Sequence, residues 1–194
     1  DGPWLDPDEQ LRRYNDWRDP SEWPMSSRKQ DILQRLAKKQ GDPTEKKNVI
    51  GAFCRVYSIE DAIEAFLPEV YTKCGEDRYT YAGGSTSGGL VLYENGKFAF
   101  SHHGTDPASG KLCNAFDLVR LHLFGDKDDD AAPGTPTGRL PSYAAMSDIA
   151  INDEAVRQDL AMARMKELSD KWDDLPVEET DWLKELTISA KGTF

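Results

Sequence analysis

Apolar residues in the first part of the chain recur at helical spacing in two segments. Residues 26–40 carry apolar side chains on one side and basic side chains elsewhere, and the segment stops before Gly41. Ser58 has the features of a helix N-cap, with the acidic residue Asp61 three positions later. The apolar residues after it follow a helical period, namely Ile59, Ala62, Ile63, Phe66 and Leu67. The pattern predicts a short basic helix and then an amphipathic helix.

The spacing then changes to the two-residue period of β-strands. Three runs are predicted to be strands, at 78–81, 89–93 and 97–101. Asn95-Gly96 joins the last two runs, and this dipeptide between apolar runs is a strong hairpin signal. The glycine-rich segment 83–89 lacks the Gly-Lys-Ser/Thr ending of a phosphate-binding loop, so we expect a flexible connection there. The prediction is a small three-stranded antiparallel sheet.

The later periodic segments predict helices. Residues 114–124 are apolar on almost every side, which is typical of a buried helix, and Gly125 ends the segment. Helical patterns return at 142–151, 154–172 and 178–188. We therefore expect an α+β fold in which the sheet is flanked by helices and followed by a C-terminal helical part.

Charge changes along the chain and indicates where its parts divide. Residues 26–57 hold eight basic and three acidic side chains, whereas residues 126–185 hold seven basic and 16 acidic ones. The segment 126–139 combines aspartates with turn-forming residues, so we expect an acidic, solvated linker. The division has four parts: a Trp- and Pro-rich arm with the basic helix at 1–48, an α+β core domain at 49–125, the linker at 126–139, and a helical region at 140–194.

The composition of the whole chain narrows the class of protein. Its 194 residues include 35 acidic and 24 basic side chains, and the net charge of −11 argues against coating of nucleic acid by a bulk positive field. No apolar run approaches the roughly 20 residues of a membrane span, and three cysteines are too few for a secreted disulfide scaffold. We expect a cytoplasmic protein with no membrane partner. Because the chain starts with Asp1 and its first methionine is Met25, we also expect a piece of a longer chain.

The densest group of polar residues follows the last predicted strand, at 101–107. On the next helix, Asn114, Asp117 and Arg120 form one polar stripe, which the loop or a ligand should satisfy. Zinc is one candidate ligand, but the tight ligand pairs of structural zinc sites are missing, so we expect a hydrogen-bonded cluster without a cofactor. The side chains that would be available to zinc are Cys74, His102, His103, Asp106 and Cys113.

Several longer strings resemble one protein family. They are Asp16-Trp-Arg-Asp-Pro-Ser-Glu-Trp-Pro, Lys39-Gln-Gly-Asp-Pro-Thr-Glu-Lys, Ile50-Gly-Ala-Phe-Cys-Arg-Val-Tyr-Ser-Ile-Glu, Ser101-His-His-Gly-Thr-Asp-Pro and Asn114-Ala-Phe-Asp-Leu-Val-Arg. The family is the virulence-associated E family of phage and mobile-element replication proteins, in which a primase-polymerase region precedes a superfamily 3-like helicase. The resemblance implies that this chain is the connecting region between the two.

The same resemblance bears on catalysis. Leu140-Pro-Ser-Tyr and Asp181-Trp-Leu-Lys-Glu-Leu resemble the lead-in to the helicase. The chain has no Walker-type Gly-Lys-Ser/Thr and no Asp-x-Asp pair that resembles a primase metal site with its partner histidine. The resemblance therefore implies that the catalytic residues lie outside this chain.

A second, shorter stretch is similar to the zinc-ribbon domain of bacterial replicative primases. The order of segments is Gly-Leu-Val-Leu-Tyr, Asn-Gly, Lys-Phe-Ala-Phe-Ser-His-His and then Asn-Ala-Phe-Asp-Leu-Val. The residues 100–103 occupy the place of a Cys-x2-Cys pair, and the first ligand pair is missing around 79–83. The similarity implies a ribbon-like sheet that has lost its metal.

Together these observations give a leading hypothesis for function. We expect a non-catalytic nucleic-acid-binding or interdomain module of a phage or mobile-element DNA primase–helicase. Its partners would be single-stranded or primer-template DNA, bound weakly, and the neighbouring primase and helicase domains. Asn114 and Asp117 would organise the side chains that grip phosphates. Those contact residues are predicted to be Arg55, His102, His103, Thr105, Lys111 and Arg120.

Other interpretations stay open on the residues alone. One is a metal-dependent hydrolase or nuclease that uses His102, His103, Asp106 and Asp117. Another is a protein-interaction domain whose acidic helices after residue 140 dock a host replication factor. The basic block at 26–47 is consistent both with phosphate binding and with a solvated helix face.

Overall fold

A computed structural model describes residues 4–14, 26–85 and 87–173. The chain divides into two units, Asp1–Leu160 and Ala161–Phe194. Trp4 in the N-terminal arm is fully exposed, whereas the helix predicted at 178–188 lies outside the described residues. In the described part of the chain, no helix has the length and apolar character needed to span a membrane.

The described residues form seven α-helices, and the predicted ones among them are confirmed. Ser26, Ser58 and Asn114 act as N-caps, each with its side chain accepting a hydrogen bond from a backbone amide of the first turn. Ser58 and Asp61 complete the predicted capping box. The helices are α1 (Pro7–Leu11), α2 (Ser27–Gln40), α3 (Val49–Val56), α4 (Ile59–Phe66), α5 (Ala115–Phe124), α6 (Pro141–Asn152) and α7 (Glu154–Asp173).

The sheet of the described residues has five strands rather than three. In spatial order it is an antiparallel meander of β1 (Tyr71–Lys73), β2 (Arg78–Tyr81), β3 (Leu90–Tyr93), β4 (Phe98–Ser101) and β5 (Leu112–Cys113). The predicted strands are β2, β3 and β4. The two added strands hold three and two residues, which is too short to show a period of two in the sequence. The expected α+β class is confirmed, but its three-stranded sheet was too small.

The hairpin between β3 and β4 forms as the Asn-Gly signal predicted. Tyr93 pairs with Phe98 across its end. Glu94, Asn95 and Gly96 have φ angles of 51°, 56° and 78°. These left-handed values suit asparagine and glycine, which explains why this dipeptide places the turn here.

The sheet is covered on both faces. Its inner face contributes Tyr79, Leu90 and Ala99 to the main core, where they join Phe53 of α3 and Phe116 of α5. On the outer face a second, smaller cluster forms against α2, which consists of Leu33, Ala37, Phe98, Phe100 and Leu112. Because both faces are covered, all four residues of β4 are buried. The basic helix α2 is thus held on the outer face of the sheet by its narrow apolar side.

The segment that was predicted to be a solvated linker lies within the first unit and is anchored there. The carboxylate of Asp128 accepts hydrogen bonds from the Ser142 amide (2.9 Å) and the Ser142 hydroxyl (2.5 Å) at the start of α6. Met146 and Ala150 of α6 and Val156 of α7 are fully buried in the main core. The helix α6 and the start of α7 therefore contribute to the main core and belong to the first unit.

Candidate functional site

A buried polar cluster joins three parts of the fold at Asp106. The Tyr71 hydroxyl of β1 donates to Asp106 Oδ2 over 2.8 Å. His122 Nε2, in the last turn of α5, lies 2.7 Å from the Tyr71 oxygen and 3.2 Å from Asp106 Oδ1. The Asp106 side chain has no exposed surface and that of His122 is 5% exposed. Because tyrosine gives its one proton to Asp106, Nε2 of His122 must carry a proton and donate it to this pair.

Hydrogen bonds keep Asp106 ionised in this buried position. Burial alone would raise its pKa, but hydrogen bonds from His122, Ser101, the Ala108 amide and Tyr71 outweigh burial and lower it. The Ala108 amide donates to Oδ1 over 2.7 Å. Sequence reasoning placed Asp106 with His102 and His103 and missed Tyr71 and His122. The available signal was His122 itself, a polar residue on an apolar helix that needs a partner once buried.

A groove of about 580 Å³ lies next to His122. Most of its charged lining is acidic, from Asp126, Asp128 and Asp129, and Lys111 is the basic member. Asp128 is held by Ser142 and Arg120, whereas Asp126 and Asp129 are exposed. This lining favours cations over phosphates.

His103 is buried beneath the glycine-rich segment. A Cβ atom at Gly84 would lie 2.8 Å from His103 Nδ1, and a Cβ atom at Gly89 would overlap the same ring. Both positions therefore require glycine because the loop backbone packs directly on the imidazole. The described part of the segment between β2 and β3 therefore covers His103.

His102 is exposed on the outer face, away from His103. Lys29 Nζ of α2 lies 2.8 Å from His102 Nδ1, and the Phe100 ring packs against the imidazole at 4.9 Å. Partial burial and the nearby cations Lys29 and Arg78 lower the pKa of His102 to about 4. The ring is therefore neutral at pH 7, and its Nδ1 accepts a hydrogen bond from Lys29.

The four residues of the hydrolase hypothesis do not come together. Asp106 binds His122 and Tyr71, whereas Asp117 binds Asn114 and Arg120. Within the described residues, no group of three or more His, Cys, Asp or Glu side chains is placed to hold a metal ion. Cys54 and Cys113 are buried, and burial raises the pKa of both thiols, that of Cys54 to about 11.

The predicted polar stripe of α5 is satisfied within the protein. Arg120 is 7% exposed and binds Asp117 Oδ1 at 3.0 Å, Asp128 Oδ2 at 3.4 Å and the Ser142 hydroxyl at 2.6 Å. Asn114 caps α5 through Asp117 N at 2.9 Å and also donates to the Asp117 carboxylate. Arg120 thus holds α5, α6 and the turn at Asp128 together.

The other predicted contact residues differ in how much of each side chain is engaged. Arg55 donates to Asp159 through two nitrogens and to the backbone oxygens of Thr44 (2.7 Å) and Lys46 (3.1 Å). Thr105 and Lys111 are exposed and each makes one long hydrogen bond, of 3.3 and 3.4 Å. Of the cationic side chains that were predicted to contact DNA, that of Lys111 is therefore the most available.

An exposed basic surface is formed by α2, and we call it the α2 basic face. Its five cations are Arg28, Lys29, Arg35, Lys38 and Lys39, all exposed, and the helix has one acidic residue, Asp31. In the part of the chain that the structure describes, no ion pair involves Arg28, Arg35, Lys38 or Lys39.

The chain matches no family model, no curated protein and no solved structure.

Proposed function

We propose that this chain is a non-catalytic module that contacts DNA through the α2 basic face, within a phage or mobile-element primase–helicase. The observation that carries the proposal is the group of exposed cations on α2. A surface side chain that already has a carboxylate partner must lose that partner before it binds a phosphate. Arg28, Arg35, Lys38 and Lys39 have no such partner among the described residues, so their charge is available to a phosphate backbone.

The packing of α2 against the sheet supports a role in DNA binding. Leu33 and Ala37 are buried against the sheet, so the opposite, basic side of the helix is turned to solvent. Ser26 caps the helix at one end and Gly41 ends it at the other. A rigid helix holds its cations in fixed register, which lowers the entropy lost when a strand binds.

In this proposal, two of the DNA-contact residues that the sequence predicted have a structural role instead. Arg55 and Arg120 are held by aspartates, at Asp159 and at Asp117 with Asp128. Lys29 already belongs to the α2 basic face, and Lys111 lies on the surface and would extend it. His102 contributes by holding Lys29 in place rather than by its own charge.

The net charge of −11 for the chain limits the strength of binding. A local patch of about four available cations neutralises about four phosphates, which corresponds to a slope of about −3 in log K against log salt for a single strand. We therefore expect weak binding that is measurable at low salt and lost near physiological salt. Stable attachment would come from the neighbouring primase and helicase domains.

Fluorescence anisotropy with labelled single-stranded and forked DNA at low salt tests the proposal. Replacing Arg28, Arg35, Lys38 and Lys39 together by glutamine should weaken binding about tenfold or more and flatten the salt slope. The matched control removes four exposed cations elsewhere, at Lys127, Arg157, Arg164 and Lys166, and should leave the salt slope unchanged. Absence of binding by the unaltered protein, or an equal loss in both variants, would overturn the proposal.

A further inference from the structure

A groove runs beside α2 on the outer face of the sheet, and its lining differs from that of the α2 basic face. Its volume is about 420 Å³, within the range of small-molecule sites. Its apolar lining includes the buried Leu33 and Leu112, and the half-buried Tyr93 also lines it. Its polar lining consists of the exposed residues Gln30, Gln34 and Glu94.

This combination fits a nucleobase better than an aliphatic ligand. An aromatic side chain offers a surface on which a base stacks, and such stacking is tolerant of base identity. Glutamine amides carry both a donor and an acceptor, and they pair with base edges such as the N6 and N7 atoms of adenine. A glutamate oxygen accepts from exocyclic amino groups.

The groove lies next to the α2 basic face. Gln30 and Gln34 belong to α2, the same helix that carries Arg35 and Lys38. A base that enters the groove therefore keeps its own phosphate within reach of the helix. A paired base cannot enter, because its edge is occupied and its faces are stacked in the duplex.

We infer that the groove between α2 and β3 holds an unpaired base and makes the protein selective for single-stranded over duplex DNA. This inference rests on the proposed function, because the α2 basic face supplies the phosphate contacts. It assigns Tyr93 the role of stacking platform and Gln30 and Gln34 the role of contacts to the base edge. A peptide in the groove is the competing occupant, and its binding would not depend on bases.

The first experiment uses the unaltered protein and three probes of equal length: a single strand, a duplex and a single strand with consecutive abasic sites. The single strand should bind about tenfold more tightly than the other two, as expected for the loss of one stacked base. A 2-aminopurine base in the strand should change its fluorescence on binding, and the same change should be absent for the duplex. Equal affinity for all three probes would overturn the inference while leaving the α2 proposal intact.

Substitutions then locate the selectivity. Tyr93→Leu should reduce the preference for single strands about fivefold or more and leave the salt slope unchanged, whereas Tyr93→Phe should retain the preference because the ring remains. Gln30→Ala with Gln34→Ala changes exposed residues only and should reduce discrimination among bases without affecting unfolding in urea. Loss of the salt slope in these variants would contradict the roles assigned to Tyr93, Gln30 and Gln34. An unchanged preference for single strands in Tyr93→Leu, or unchanged discrimination among bases in the glutamine variant, would also contradict them. If no DNA binds the unaltered protein, both proposals fail together.

Discussion

Lys29 Nζ lies 2.8 Å from Nδ1 of His102 and thereby joins the first turn of α2 to the end of β4. The lysine can only donate, so Nδ1 must accept and His102 must be neutral in this arrangement. The contact fixes one end of the basic helix on the sheet. It also brings a cation against a histidine, which has measurable consequences for both groups.

Lys29→Met should raise the pKa of His102 from about 4 towards its usual 6.5. The value should stay below 6.5, because partial burial is the largest cause of the lowering and Arg78 also contributes. NMR titration of the imidazole protons measures this directly. Lys38→Met removes an equal charge from the same helix and should leave the titration unchanged; an equal shift in both variants would indicate a general field effect instead.

The lowered pKa of His102 also predicts how the stability of the protein depends on pH. In the unfolded chain His102 takes up a proton near pH 6.5, but in the folded protein only near pH 4. The unfolded state therefore binds more protons in this interval, and the free energy of unfolding should fall as the pH drops from about 6.5 to about 4. Urea unfolding at several pH values measures the slope. His102→Gln should flatten it, and an unchanged slope would contradict the assignment.

Asp106→Asn should destabilise the fold by about 3 kcal/mol, because it removes a buried charge whose donors are fixed in place. The amide cannot accept from the Ala108 amide, Tyr71 and His122 in the same geometry. Tyr71→Phe removes only one donor and should cost about 1 kcal/mol. Urea unfolding compares the two variants, and equal effects would show that the carboxylate is not the centre of the cluster.

Gly89→Ala should destabilise the protein by about 1–3 kcal/mol, because the new methyl group would overlap the buried His103 ring. Gly104→Ala provides the matched control in the same region, since a Cβ atom there meets no atom within 4 Å. Its effect should stay within about 0.5 kcal/mol. Similar melting temperatures for both variants would mean that the loop moves away from His103 at little cost.

Arg120→Met should lower the free energy of unfolding by about 3–5 kcal/mol, because Asp117 and Asp128 would lose their buried cation. Ser142→Ala removes the hydroxyl from the same network and should cost about 1–2 kcal/mol. At temperatures where both variants are folded, their affinity for DNA should equal that of the unaltered protein. A specific loss of DNA binding in Arg120→Met would restore this residue to the nucleic-acid contacts.

Elements with a local signal could be predicted from the sequence. The caps at Ser26 and Ser58 and the turn at Asn95-Gly96 are formed by residues within three or four positions of each other, so their physics is visible in a short window. The strand β5 has no such signal, because its two residues are defined only by pairing with β4. The contact of Asp128 could not be predicted for a related reason, since its partner Ser142 lies 14 residues later.

The sequence by itself determined the α+β class, the central hairpin and the positions of most helices, because periodicity and capping act over a few residues. Only the tertiary structure decided which polar groups meet. Asp106 meets Tyr71 and His122, which are 51 residues apart, and Arg55 meets Asp159 across 104 residues. A buried charge is stabilised by whichever donors the packing of helices and strands brings within hydrogen-bond distance, and that packing leaves no local pattern. The same packing turned α2 outwards and placed Tyr93 beside it, which is why the candidate site lies there.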